Sequence, residues 1–304
     1  MKILITGSNG LLGQKLVYQL IKNPDIHIIA TARGENRIAH KEGYVYETLD
    51  VSDEKQVMDM VIEHRPDCVI HTAAMTNVDE CEKDKAGCDK LNVEAVRYLV
   101  NACTLYNIHL IHLSTDFVFD GEAGPYKEED TPNPQSYYAA SKLASEKILE
   151  QSTIDWAIIR TIIIYGVVDD LQRSNIVLWT KASLEQQKTI SVISDQYRAP
   201  TLAEDLADAC ISAARKRAKG IYHICGLELS SILDIAYAVA DYYKLNRAFI
   251  KPVTSAELNQ AAKRPARTGF ILDKAKRELN YNPHTFKQGL DIVTEQLNKK
   301  EMKL

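Results

Sequence analysis

The sequence has no C-x-x-C pair, no long apolar run and no cluster of basic residues, and each absence removes a class of function. Its six cysteines, Cys68, Cys81, Cys88, Cys103, Cys210 and Cys225, are scattered, and no histidines sit at metal-ligand spacing. That pattern argues against a disulfide scaffold or a zinc site and predicts reduced, mostly buried thiols. No segment approaches the roughly 20 apolar residues that a bilayer-spanning helix needs, so no membrane partner is expected. The N-terminus opens directly on an apolar, strand-like run without a leader's charged and cleavage regions, which predicts a cytoplasmic protein. Charge is nearly balanced, with 37 basic and 41 acidic side chains for a net −4. Neither nucleic acid nor an anionic lipid surface is therefore expected as a partner.

What is present is material for a sizeable core. The chain has 304 residues, 45% hydrophobic and 26% charged, enough for one large domain or two smaller ones. Lys2–Thr6 is a short apolar run ended by glycine, and Leu12, Leu16, Val17, Leu20 and Ile21 then recur at helical spacing. The alternation repeats: strand-like Ile26–Ala32, a helical stretch after Asp53, strand-like Asp67–Ala74, a helix around Asn92, and the strand Ile108–Ser114. A helix over Ser136–Gln151 and the strand Trp156–Thr161 follow. Strands that read as near-continuous apolar runs are buried on both faces, so the fold class is α/β, a Rossmann-type doubly wound parallel sheet.

After about Tyr165 the rhythm weakens. A polar stretch, Val167–Ser174, leads to one short strand near Thr189–Ile193 and to helices near Ala203–Ala214, Ser231–Tyr243 and Asp273–Leu279. The expected division is a dinucleotide-binding domain over residues 1–165 and a smaller, mainly helical substrate-binding lobe over 166–304. Some of the later chain is expected to return to the first domain.

Gly7, Gly10 and Gly13 give G-x-x-G-x-x-G spacing between the first strand and the first helix. Glycines there permit a tight turn and let backbone N–H groups approach a pyrophosphate at the positive end of a helix. This predicts a dinucleotide site. Where NAD-preferring folds place a carboxylate after the second strand, this chain has Thr31-Ala32-Arg33, and a guanidinium suits a 2′-phosphate. NADP(H) is therefore the preferred cofactor, with NAD(H) as the alternative.

Tyr138 and Lys142 lie four apart in a helical segment and share a face, whereas Tyr137 diverges from Lys142. A neighbouring ammonium stabilises a phenolate, so Tyr138 is the acid candidate and Tyr137 a packing or substrate-lining one. Ser114 and Thr115 stand where a buried strand ends, the usual ligand side of an open α/β sheet. A hydroxyl there can hydrogen-bond a substrate carbonyl.

With these motifs the chain resembles the extended short-chain dehydrogenase/reductase family, almost end to end. The resemblance implies a catalytic set of Thr115, Tyr138 and Lys142. It also implies a cofactor site that adds Asn9, Leu11 and Leu12 in the glycine loop, Arg33, and Asp50-Val51 near the adenine. Ala73, Ala74, Met75 and Thr76 would run along the cofactor, joined by Asn92, Leu113 and Ile162. Four segments, STDFVFDG, AAMTNVDECE, SDQYRAPT and RPARTGFILD, are similar to the dTDP-4-dehydrorhamnose reductase branch. In that branch a 4-keto group on a nucleotide-linked deoxysugar is reduced while the tyrosine delivers a proton. The implied substrate residues are Thr115, Asp116, Phe117, Tyr138, Ile163 and Arg264. Related dehydratases read T-D-E where this chain has Phe117, which favours plain carbonyl reduction over loss of water.

Several positions depart from the branch. Ile163 replaces a tryptophan that packs on the sugar, Arg267 lies in a segment that usually reads R-P-x-N-S, and Arg198 replaces a glycine. A basic residue at 198 or 267 would either meet a phosphate-bearing ligand or face solvent. The branch's glutamate-based metal site is not matched, because Gln14-Lys15 follows the last glycine of the loop, so no metal is expected. The resemblance also implies a homodimer, and it leaves two other readings. One is a cofactor-binding regulatory subunit like that of methionine adenosyltransferase; the other is a reductase or epimerase of another sugar nucleotide. His71 and His112 read as packed core histidines, and Cys81 and Cys88 as thiols that share a helix face without a redox signature.

Overall fold

The computed structural model describes residues 1–170, 174–258 and 260–301. Within them the first half alternates strand and helix: β1 (Lys2–Thr6), α1 (Leu11–Leu20), β2 (His27–Ala32), β3 (Val45–Thr48), α2 (Glu54–His64) and β4 (Cys68–His71). Two short helices, α3 (Val78–Lys83) and α4 (Lys85–Asp89), lead through a π-helical turn at Lys90–Glu94 into α5 (Ala95–Thr104). β5 (His109–Thr115), α6 (Tyr137–Glu150) and β6 (Trp156–Thr161) complete the half.

The second half contains β7 (Ile164–Tyr165), α7 (Ile176–Glu185), β8 (Ile190–Ile193), β9 (Tyr197–Arg198), β10 (Thr201–Leu202), α8 (Ala203–Lys216) and β11 (Gly220–Ile224). It ends with β12 (Ser230–Ser231), α9 (Ile232–Tyr242), β13 (Ile250–Val253), α10 (Asp273–Leu279) and α11 (Phe286–Glu301). Positions 171–173 of the polar stretch expected at 167–174 lie outside the described residues.

Seven strands form one sheet in the order β11-β6-β5-β4-β1-β2-β3, and every pairing is parallel. Apolar strands cause this: Ile3, Leu4 and Ile5 are fully buried, as are Cys68, Val69 and Ile70. Alternate residues serve opposite faces. Ile3 and Ile5 join a cluster with Leu16 of α1 and Leu206 of α8, while Leu4 joins Val57 of α2 and Leu99 of α5. The doubly wound α/β sheet expected from the sequence is therefore present, and the strand order reverses between β1 and β4. Such a reversal opens a crevice at the carboxyl ends of the strands.

The later chain divides its contribution. α8 packs on α1 and β11 pairs with β6, so both belong with the sheet. α7 and α9 pack together, β8 pairs with β13, and Ala236, Ala240, Ile190 and Val192 share a small core. In this half two helices were not read from the sequence, α7 and α11, as α3 and α4 were not in the first half. α11 carries Gly289 in its interior, a poor helix former, because a Cβ there would collide with the Tyr165 hydroxyl. No helix of the described residues is long and apolar enough to cross a membrane.

Candidate active site

A cleft of about 610 Å³ opens at the reversal, lined from both halves of the chain. Its floor is the glycine turn. Gly7 takes φ +72°, and a Cβ there would approach the Ala73 nitrogen to 2.8 Å. A Cβ on Gly13 would come within 2.5 Å of the Gly7 carbonyl oxygen and 2.6 Å of the Ser8 Cα. Close backbone approach thus explains both glycines. The Gly10 amide donates back to the Gly7 carbonyl at 2.9 Å, and α1 begins at Leu11 with no side-chain cap. Its first amides are left for a ligand, and helix N-termini with free N–H groups suit phosphate.

Asn9 fastens this turn to the segment after β2, donating to the Glu35 carbonyl at 2.8 Å and accepting from the Arg37 amide at 2.8 Å. Gly7, Asn9, Gly10, Leu11, Leu12 and Arg33 line the cleft, as do Val51, Ala73, Ala74, Thr76 and Leu113. Arg33 is exposed there, and Arg37, which sequence reasoning did not single out, lines the same end.

Five expected cofactor residues lie behind the lining instead. Gly13 is packed against the turn, and Ile162 is fully buried in the core. Asp50 turns its carboxylate to the amide and hydroxyl of Ser52, at 2.9 and 2.7 Å. Asn92 clamps the Met75 backbone, accepting from its amide at 2.8 Å and donating to its carbonyl at 3.1 Å. The same side chain reaches Ser141 Oγ of α6 at 3.0 Å. Asn92 can do so because the π-helical turn widens the helix locally. It braces the cofactor strand against the helix of Tyr138.

α6 starts at an N-cap, Ser136, whose hydroxyl accepts from the Ala139 amide at 3.3 Å. Tyr138 and Lys142 follow on its inner face, and both line the cleft with Thr115, Asp116, Phe117 and Ile163. Tyr137 points elsewhere: its hydroxyl donates to Asp89 at 2.6 Å, and its amide to Glu82 at 2.7 Å. It anchors α6 to α3 and α4.

The electrostatics differ from the simple expectation that Lys142 lowers the Tyr138 phenol. Burial pushes that phenol above its usual value, and a hydrogen bond with Thr115 opposes the shift. Lys142 Nζ instead lies 3.1 Å from His112 Nε2. Burial brings its ammonium down to about 8, with Glu146 one turn below opposing. His112 itself is pushed well below its usual range by burial and then by Lys142. His71 falls to about 3 for the same reasons. The two imidazoles stack with centroids 5.5 Å apart. Both are core histidines as expected, yet His112 also touches the lysine, a role that sequence reasoning missed. Strand alternation places it on the same face of β5 as Ser114, which lines the cleft.

On the opposite wall Phe117 stands edge-on to the Tyr138 ring, with centroids 6.1 Å apart. Asp116 is 2% exposed. It accepts from Thr115 Oγ1 at 3.1 Å and from the Thr268 hydroxyl. Arg198 overturns both expectations held for it: it is 1% exposed and pairs with Asp116, so it neither faces solvent nor waits for a phosphate. Arg267 is exposed, over the Tyr197 ring. Arg264 lies outside the lining, held by Asp79 of α3 at 2.7 and 3.2 Å. All six cysteines are buried and free, with Cys81 and Cys88 sulfurs 2.7 Å apart. Glu47, Glu63 and His64 bring three ligand-type atoms together at the edge beyond β3. None of them lines the cleft.

Comparison with known proteins gives a consistent set. The family model of the RmlD substrate binding domain matches residues 1–299. A dTDP-4-dehydrorhamnose reductase of Aggregatibacter actinomycetemcomitans is 29% identical over 305 residues, covering 96% of this chain and 98% of that one. The methionine adenosyltransferase 2 subunit beta of Bos taurus is 30% identical over 269 residues, covering 87% and 78%. A crystal structure of dTDP-4-dehydrorhamnose reductase from Bacillus anthracis in complex with NADP superimposes with a TM-score of 0.83. It is 27% identical and covers 97% of this chain and 99% of that chain.

Proposed function

This chain belongs to the RmlD substrate binding domain family, and from that membership we propose that it reduces the 4-keto group of a nucleotide-linked deoxysugar with NADPH, in the manner of a dTDP-4-dehydrorhamnose reductase. The observation that carries the reading is the meeting of Thr115, Tyr138 and Lys142 with the glycine turn in one cleft. The residues fit a dinucleotide: α1 presents uncapped amides, Gly7 and Gly13 clear the turn, and Arg33 with Arg37 suits a 2′-phosphate. When bound, the nicotinamide supplies a hydride. Gly10, Leu11 and Leu12 would hold the pyrophosphate, and Val51, Ala73, Ala74, Thr76 and Leu113 would follow the cofactor along the sheet. Gly13, Asp50, Met75, Asn92 and Ile162 would support these from behind.

Tyr138 is the proton donor in this proposal, passing its phenolic proton to the oxygen of the reduced carbonyl. Thr115 lines the cleft beside the phenol, and by turning its hydroxyl from Asp116 to the substrate it orients that carbonyl. Lys142, as an ammonium, lowers the cost of the phenolate that results. Phe117 and Ile163 give the sugar an apolar wall, and with no carboxylate at 117 the acid–base pair that elimination needs is incomplete. Residues 1–165 serve the cofactor and residues 166–304 the sugar, with the 203–224 segment returning to the sheet. A cytoplasmic homodimer completes the proposal; its size is checked by mass in solution.

A second reading, a regulatory subunit of a methionine adenosyltransferase, is favoured by the relative from Bos taurus. Coverage weighs against it: the reductase relative aligns over 98% of its own length, the subunit over 78%. The deciding experiment offers NADPH and dTDP-4-dehydrorhamnose to the purified protein and follows absorbance of the reduced cofactor. Consumption of NADPH with formation of the sugar alcohol supports the reductase. No consumption with any keto-sugar nucleotide, together with co-purification of an adenosyltransferase, would establish the subunit reading instead.

A further inference from the structure

Arg198 is placed as few arginines are. Its Nη2 donates to the Pro265 carbonyl at 2.6 Å, and its Nη1 to the carbonyls of Tyr197 and Ala266 at 2.7 and 3.4 Å. Its Nε lies 3.5 Å from Asp116 Oδ2. The guanidinium carbon sits 5.4 Å from the centre of the Phe117 ring, within cation–π range. One side chain thus ties the 265–268 segment to the residues that leave β5 at the reacting end of the cleft.

Asp116 is the reason the tie matters. A buried carboxylate without a counter-charge takes up a proton. Burial does push Asp116 upward, and the Arg198 charge is the largest opposing influence. Thr115 has a single hydroxyl proton. It donates that proton to Asp116 at 3.1 Å, while its oxygen accepts from the Phe117 amide at 3.2 Å. The direction of the Thr115–Asp116 hydrogen bond is therefore set from the Arg198 end, and the Phe117 ring, which Arg198 covers, stands edge-on to Tyr138.

We propose that Arg198 is a positioning residue for the proton donor: by holding Asp116 as a carboxylate it fixes the Thr115 hydroxyl that donates to it, and by covering Phe117 it fixes the wall against which the Tyr138 ring stands. Without it two arrangements compete. In one, Asp116 carries a proton and donates toward Thr115, reversing that hydrogen bond. In the other, a bare carboxylate faces the phenol and holds its proton more tightly. Both slow proton delivery. The other titratable groups near this carboxylate are Tyr138 from α6 and Cys225 after β11, and Arg264 faces Arg198.

The role of Tyr138 here rests on the reductase reading; the state of Asp116 does not. The test therefore has two readouts on the full-length protein. Arg198→Met and Arg198→Lys are compared with wild type by NMR titration of 13C-labelled aspartate, with Asp116 assigned through Asp116→Asn, and by the pH profile of kcat. In Arg198→Met the Asp116 midpoint should rise by about one pH unit or more, and kcat should fall about tenfold or more, with KM for NADPH little changed. Arg198→Lys should keep the midpoint near wild type but not restore kcat, because an ammonium lacks the planar fork and the flat face that Phe117 meets.

An unmoved Asp116 midpoint in Arg198→Met overturns the proposal, as does a kcat profile identical to wild type. Should Arg198→Met fail to fold, Arg198→Lys decides: full kcat sinks the positioning role, and a lowered kcat with an unmoved midpoint supports it. If wild type turns over no keto-sugar while the midpoint still moves, the reductase reading fails and the Arg198–Asp116 coupling stands.

Discussion

Lys142 Nζ lies 3.1 Å from His112 Nε2, and both side chains are buried. A neutral imidazole is a hydrogen-bond acceptor for an ammonium and adds no charge of its own. The Glu146 carboxylate one turn along α6 supports the ammonium, while burial weakens the lysine's hold on the proton. This arrangement makes the lysine, more than the phenol, the group whose titration falls in an accessible range.

For wild type, kcat should therefore decline as pH rises through about 8, where burial places the Lys142 ammonium. Folding responds in the opposite sense. The unfolded chain holds this proton up to the ordinary value of 10.5 and the folded chain only to about 8. Between those values the unfolded state binds more protons, so stability from this group rises with pH. Lys142→Met should be more stable than wild type at pH 7, by on the order of 3 kcal/mol. That advantage should shrink between pH 8 and 10.5. Urea titrations at pH 7, 8.5 and 10 measure it, and an advantage that grows with pH would contradict the burial.

Tyr138→Phe removes the proton donor and leaves the ring that Phe117 meets. We expect kcat to drop by about 100-fold or more, with NADPH binding by fluorescence titration unaltered. Wild-type turnover with the cofactor bound would show that the proton comes from elsewhere. Tyr137→Phe, which breaks the hydrogen bond to Asp89, should lower thermal stability and leave most of the turnover.

Arg33→Glu places a carboxylate where the adenosine ribose would sit. NADPH should bind about tenfold more weakly or worse, and NADH should be nearly unaffected. Isothermal titration of both cofactors gives the ratio directly. Equal losses for the two would mean that Arg33 does not meet the 2′-phosphate.

Gly13→Ala puts a methyl into the backbone of Gly7 and Ser8, with nothing flexible to yield. α1 must shift away from β1, at a cost of about 1–3 kcal/mol. The melting temperature should fall, and affinity for either cofactor should fall with it. An unchanged melting temperature would show that the turn and helix are not so tightly seated.

Asp79→Asn loosens the double hydrogen bond to Arg264 that joins α3 to the 262–268 segment. KM for the sugar nucleotide should rise about three- to tenfold, while the Kd for NADPH stays put. Steady-state kinetics with each substrate varied in turn separates the two effects.

Much of this was legible in one dimension. Gly7, Gly10 and Gly13 lie within seven residues, so spacing alone reveals a turn between a strand and a helix. Tyr138 and Lys142 share a face of α6 because the helical repeat requires it. The contacts that were not legible join distant parts of the chain. Arg198, on a strand that pairs with β12, meets Asp116 only in the folded chain, and Arg264 meets Asp79 across 185 positions. Nothing local distinguishes a buried arginine from an exposed one. Asn92 looked like a cofactor residue and acts as a brace, since a π-helical turn changes which way its side chain aims. α11 escaped notice because Gly289 answers to Tyr165, a packing demand that no helical periodicity records.

The pairing of β11 with β6 has a consequence for modularity. The chain leaves the sheet after β6, builds part of the small lobe, re-enters through α8 and β11, and leaves again. Those three crossings, with α10 packing back on α8 and β11, tie the lobes together at several points. The two halves are also not interchangeable units. A chain ending after Tyr165 would expose the whole edge of β6 and strip α8 from α1, leaving an aggregation-prone sheet. Exchange of substrate lobes between relatives must therefore keep residues 203–224 with the cofactor half, and alter specificity only through the segments on either side.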